Sequence, residues 1–190
     1  MHNIEPYWKW RDFYTAEEDE KSPFFGRKYS EFEFSETIYN YYIHPQWDHF
    51  GSETLYLKLL FVDYKKGSAI IEFIGEWNDC LKNDIMFLKR DVIDVLLKHG
   101  ISKYVLIGEN ILEFFAANNE YYEEWYDDIK DNDGWIIAIN FRAHIQDEMH
   151  QSRIHYYIHT NEKYVDINWR KYKPFHLVSY LDNLLIKVIH

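Results

Sequence analysis

Leu55-Tyr56-Leu57-Lys58-Leu59-Leu60-Phe61-Val62 leads through Lys65-Lys66-Gly67-Ser68 into Ala69-Ile70-Ile71-Glu72-Phe73-Ile74, and this stretch decides the fold. Two apolar runs rich in β-branched and aromatic residues flank a short turn containing glycine, which predicts a β-hairpin. Beyond residue 76 the period changes. Leu81, Ile85, Leu88, Val92 and Leu96 recur at helical spacing and mark one buried stripe of an amphipathic helix. Asp79 or Asn83 is the candidate N-cap, and Gly100 stands where a helix C-terminal glycine belongs. Lys103-Tyr104-Val105-Leu106-Ile107 then reads as the next strand, closed by Gly108. Strand, helix and strand in that order predict a parallel pair joined by a right-handed crossover.

Outward from this unit, residues 110–129 read as a second helix, interrupted at Asn118-Asn119, and Asp131-Asn132-Asp133-Gly134 as a turn. Trp135 to Phe141 is apolar on both faces, as in a central parallel strand. Residues 142–151 suit a short helix, and residues 153–159 and 164–169 suit two strands. Leu177, Leu181, Leu184, Leu185 and Val188 mark a closing helix. Upstream, Glu31-Phe32-Glu33-Phe34 alternates as a strand does, and Ile38 to Ile43 reads as another. Residues 1–30 are irregular and carry Tyr7, Trp8, Trp10, Phe13 and Tyr14, so we read an arm that packs its aromatics on the body. The fold class is α/β: a mixed sheet with N-terminal antiparallel strands and a hairpin, then alternating βαβαβ with helices packed on the sheet. Residues 31–190 form one domain on this reading.

By order of elements alone, this resembles the small sulfate-transporter/anti-sigma-antagonist type of regulatory fold, a hairpin followed by alternating helix and strand. Members of that type resemble one another at a serine in the turn before the second helix. Here that turn reads Gly108-Glu109-Asn110, so no phosphoserine switch carries over. A local resemblance is carried by Gly75-Glu76-Trp77-Asn78-Asp79, residues 84–90, Gly108-Glu109-Asn110 and Tyr121-Tyr122-Glu123-Glu124-Trp125. These stretches are similar to an uncharacterised bacterial protein family with no assigned activity. The resemblance spans residues 55–170 and implies no functional residues.

The 190 residues are 47% hydrophobic and 19% aromatic, which excludes disorder, and 21 basic against 32 acidic side chains give a net charge of −11. That charge opposes nucleic-acid binding, which rests on phosphate neutralisation, and favours a protein partner with a basic surface. At this size about 70% of the unfolded surface is buried, enough for a core without staples. Cys80 is the single cysteine, so no internal disulfide forms, and a reducing cytoplasm is expected. It reads as a partly buried structural thiol. No run approaches the ~20 apolar residues of a membrane span, and Met1 to Trp10 lacks an apolar h-region, so no signal peptide is expected. No phosphate loop, dinucleotide fingerprint, nucleophile elbow or zincin motif is present.

Two candidate sites remain. Parallel strands place ligands beyond their carboxyl ends, where we expect Glu76, Glu109, Arg142 and His144: two carboxylates and an imidazole for acid–base work or metal assistance, and a cation for an anionic group. Caps at strand-to-helix turns use the same residue types. The second candidate is the acidic-aromatic segment 118–133, with Glu120, Glu123, Glu124, Tyr126, Asp127 and Asp128 as partner-binding residues. There charge steers encounter and aromatics anchor it; the competing reading is a solvated helix face over a core of Tyr122, Trp125 and Ile129. The histidine pairs 144/150 and 155/159 do not suit one metal ion. Trp169-Arg170-Lys171-Tyr172-Lys173 is a lone basic-aromatic run that reads as a linker into the last helix. The sequence thus favours a cytoplasmic, non-enzymatic interaction or regulatory domain, with an enzyme as the alternative. Neither cofactor nor metal is expected.

Overall fold

The computed structural model describes residues 3–189, with side chains to Ile186; the side chain of Val188 lies outside the described set. A two-residue antiparallel pair, β1 (Thr37–Ile38) and β2 (Tyr41–Tyr42), precedes a four-stranded sheet. That sheet contains β3 (Leu55–Asp63), β4 (Ser68–Asn78), β5 (Lys103–Phe115) and β6 (Trp135–Ile139) in that spatial order. β3 and β4 form the expected antiparallel hairpin, while β4–β5 and β5–β6 are parallel. The protein is therefore mixed α/β, as its sequence predicts. Asp63 begins the hairpin turn by accepting the N–H groups of Lys65 and Lys66 through Oδ1, both at 3.0 Å. Gly67 completes it at φ 64°, where a Cβ would also lie 2.8 Å from the Gly100 carbonyl.

The first crossover is helical in pieces: α1 (Asp79–Lys82), α2 (Asp84–Phe87), a π-helical stretch (Leu88–Ile93) and α3 (Asp94–Leu97). Asn78 is the N-cap of α1, its side chain accepting the Leu81 N–H at 2.9 Å. Asn83, in the left-handed region at φ 53°, separates α1 from α2. That break turns Leu81 out of the stripe, so it is 81% exposed while Ile85, Leu88, Val92 and Leu96 are buried.

The expected helix over 110–129 is α4 (Glu120–Lys130) alone. Residues 110–115 instead prolong β5, because β4 runs on to Asn78 and pairs with them. A register shift lies between the Glu72–Ile107 and Ile74–Asn110 pairs, so Gly108-Glu109-Asn110 is strand rather than turn. Of the two late strands predicted, only one bridge forms, His159 with Ile137. The segments are short 3-10 turns at Ile154–Tyr156, Glu162–Tyr164 and Trp169–Lys171. Consequently β6 lies at the end of the sheet rather than at its centre, with His159 hydrogen-bonded to Ile136 and Ala138 along its outer edge. Residues 31–34 are also irregular, not strand. The helices α5 (Ala143–Gln151) and α6 (Pro174–Ile189) form as read.

Two cores result. On one face of the sheet, Leu57, Ile71, Phe73 and Leu106 meet Leu88, Val92, Trp125 and Ile145 of the helices. On the other, Ile70, Val105, Ile107 and Ile137 meet Leu177 and Leu181 of α6, and Trp10 of the arm. The arm is docked: Trp10, Ala16 and Phe24 are buried, although Trp8 and Phe13 stay exposed.

Candidate functional site

The four residues expected at the strand ends fall into two groups. Glu76 accepts the Tyr39 hydroxyl at 2.8 Å and the Asn78 amide at 3.1 Å. It pairs in register with Glu113, whose Oε2 lies 3.6 Å from His144 Nε2. His144 is exposed, with Nε2 also 3.0 Å from the Leu112 carbonyl. Arg142 is exposed at the N-cap of α5 and makes no ion pair among the described residues. Glu109 belongs elsewhere. Its carboxylate binds the Arg170 guanidinium and accepts Trp169 Nε1 at 3.3 Å. Burial would raise this carboxyl, but Arg170 holds it below its ordinary value. Glu76 and His144 are thus linked through Glu113, and Glu109 is bound within a separate ion pair.

The acidic segment is only partly free. α4 buries Tyr122, Trp125 and Ile129, as its apolar spacing requires. On one flank Lys89, buried among carboxylates, has its Nζ 3.2 Å from Glu124 and 3.0 Å from Asp128, and also contacts Asp94. Oxygens of Asp94, Glu124 and Asp128 lie within 4.8 Å of one another, a spacing that suits a cation, and the Lys89 ammonium contacts all three. Arg90 grips Glu124 with two hydrogen bonds of 2.6 and 2.7 Å and holds its carboxyl below the ordinary range. Asp127 pairs with Lys130 at 2.6 Å. Glu120 and Glu123 are exposed and make no ion pair among the described residues. Tyr126 packs against Tyr157, ring centroids 6.2 Å apart.

A third cluster went unread in the sequence. Lys58 of β3 and Glu72 of β4 are cross-strand partners on the sheet face beneath the arm. Lys58 is buried, 3.3 Å from Asp48 Oδ2, 3.9 Å from Glu17 Oε2 and 3.8 Å above the Tyr29 ring. Burial pushes this ammonium below its usual range and the Asp48 carboxyl above its own. Glu72 is 1% exposed; its Oε2 accepts the Tyr7 N–H at 2.8 Å and its Oε1 lies 3.9 Å from Arg170. Burial raises the Glu72 carboxyl to about 7. Glu17 Oε2, Asp48 Oδ2, Lys58 Nζ and Glu72 Oε1 are all buried without a hydrogen bond. A cavity of about 20 Å³ opens beside Lys58, between Tyr7, Tyr14, Glu17 and Leu60, room for about one water molecule. The signal was a single charge inside each of two apolar strand runs.

Of the other groups singled out, Cys80 is exposed rather than partly buried: it stands on the outer side of α1, whose inner side buries Asp79. His150 and His155 stack at 4.2 Å, a contact created by the turn that replaces the predicted strand. No described helix is long and apolar enough to cross a membrane.

No family model matches the chain, and no curated protein matches it. Among solved structures, the Bacillus cell fate determinant SpoIIAA in its phosphorylated form is similar, with a TM-score of 0.40 and 10% identity over 56% of this chain and 93% of that one.

Proposed function

We propose that the protein is a non-enzymatic interaction domain that captures a partner with a basic surface through the outer face of α4. The observation that supports this is the division of charge along the helix. Lys89 and Arg90 hold Glu124 and Asp128 on one flank, while among the described residues Glu120 and Glu123 project without a cation and Lys130 alone pairs with Asp127. Anionic groups on a rigid helix steer a cationic partner. Tyr126, Tyr157 and the 66% exposed Tyr156 supply aromatic surface beside them. The test places a photoreactive side chain at Glu120, with Tyr180 of α6 as the control position. The expected adduct is a basic protein, formed from position 120 alone and suppressed by E123Q/D127N and by salt. Equal labelling from both positions, or an adduct with an acidic protein, overturns the reading. The enzyme alternative has less support, since Glu109 is bound to Arg170; it would need a metal-dependent shift in the His144 ring resonances.

A further inference from the structure

The aromatic part of the run at Trp169–Lys173 lies under the arm, while Arg170, Lys171 and Lys173 are exposed. The Trp169 ring is buried against Tyr7 and Trp10, at centroid distances of 4.9 and 5.3 Å. Trp10 Nε1 donates to the Tyr172 carbonyl at 3.1 Å, and the Tyr7 hydroxyl to the Arg170 carbonyl at 3.2 Å. The Tyr7 N–H ties this stretch to the sheet, donating to the buried Glu72 carboxyl. We infer that Tyr7–Trp10 is a strap over the Trp169–Tyr172 segment, latched on the Glu72 carboxyl and released when that carboxyl ionises.

The groups around Glu72 explain why ionisation loosens the latch. Lys58 faces it from β3, but Asp48 and Glu17 engage that ammonium. Glu109 of β5 holds Arg170, which stays 3.9 Å from Glu72. The arm contributes the Tyr7 N–H, and Arg11 and Glu17 line the cavity beside Lys58. The neutral acid accepts the Tyr7 N–H and carries no charge to desolvate. The carboxylate keeps the Tyr7 hydrogen bond and is attracted by Arg170 at 3.9 Å, but it is a buried charge whose Oε1 has no hydrogen bond, and its desolvation outweighs both. Water reaches it only when the strap lifts. The strapped form therefore binds the proton more tightly, with the carboxyl at about 7 against an ordinary 4.5. Opening then grows about tenfold per pH unit between those values and levels off above them. Lifting the strap uncovers Trp169 and the rest of Tyr172, an aromatic surface beside the already exposed Arg170 guanidinium.

The experiment is amide hydrogen exchange on the full chain, corrected for the intrinsic rate, following residues 5–14 against β5. The expected opening of the arm rises about fortyfold from about pH 5 to about pH 7, while β5 stays protected. E72Q, which keeps the acceptor and never ionises, should hold the arm closed at every pH. H44Q should follow the wild type, which separates Glu72 from the His44–Glu5 pair at the arm's edge. Corrected exchange that is flat with pH, or an E72Q slope equal to the wild type, overturns the inference. If E72Q does not fold, acrylamide quenching of wild-type tryptophan fluorescence decides: quenching that increases on acidification overturns it too.

Discussion

Replacing Lys89 with methionine should unfold the protein at a lower temperature and turn its ion pairs into a cation site. The Lys89 side chain is 1% exposed, whereas Asp94, Glu124 and Asp128 are 25%, 39% and 45% exposed. Methionine keeps the apolar stem, so the change removes mainly the ammonium. Breaking a buried ion pair costs about 3–5 kcal/mol. The three carboxylates reach water, which screens part of their repulsion, so about 2–3 kcal/mol is expected here. For a chain of this size that lowers Tm by roughly 4–12 °C. Arg90 still holds Glu124 and Asp94, which limits the loss. Thermal unfolding followed by circular dichroism reads the effect. Calcium should restore part of the Tm of K89M and leave the wild type unchanged, because three oxygens within 4.8 Å then lack their cation. An unchanged Tm for K89M would refute the reasoning, as would a calcium effect equal in both proteins.

Two further changes test the packing. Gly108 has no side chain because a Cβ there would lie 2.3 Å from the Phe141 ring; G108A should cost about 1–3 kcal/mol by overpacking, read as a lower urea midpoint that F141L partly restores. Asp79 is buried and accepts Trp77 Nε1 at 3.0 Å, the Ile85 N–H at 2.9 Å and the Tyr122 hydroxyl at 2.6 Å. Burial still lifts its carboxyl from 3.8 to about 6. A raised acid gives stability that is complete below its unfolded value and fades as pH rises through the folded one. The Asp79 share should therefore decline between about pH 4 and about pH 6, and D79N should flatten that part of the urea-midpoint curve; an unaltered curve would count against it.

Most of the sheet was legible because its signals are local. The hairpin shows as two apolar runs around Lys65-Lys66-Gly67, and β6 as a run of five buried residues. What failed depended on distant partners. Ile111 and Phe114 stand three apart, which suits a helix, yet both are buried in β5, paired with Gly75 and Trp77. That pairing exists only because β4 continues past its glycine. The late turns at 154–171 were misread for a similar reason. Their apolar residues cover the edge of β6 and feed both cores, Ile158 on one face and Tyr164 on the other, and they need no regular strand for that.

The sites follow the same logic. Glu76 and His144 each lie next to Glu113, by register and at 3.6 Å respectively, and Glu113 lay in the segment misread as helix. Glu109 was misplaced with it, and Arg170 was passed over as a linker residue. Lys58 and Glu72 needed less: each is the single charge inside an apolar run, residues 55–62 and 69–74, that is buried on both faces, and the hairpin sets them opposite each other. A charge in such a position must find partners or lose its proton. Lys58 does the first, through Asp48, and Glu72 leans to the second. Their cover comes from residues 7–17, the stretch whose aromatics gave the only hint of docking. The consequence is a division by face. α4 sits on the helical side with Trp125 in one core, and the strap sits on the other with Trp10 in the second core. Events at α4 can reach the strap by two routes: through β4, which carries Phe73 on one face and Glu72 on the other, and through the arm itself, whose Ala16 and Phe24 share the core of Trp125 while Trp10 lies in the second. A partner on α4 that leaves both β4 and the Ala16–Phe24 contacts unmoved leaves the strap's pH response unmoved as well.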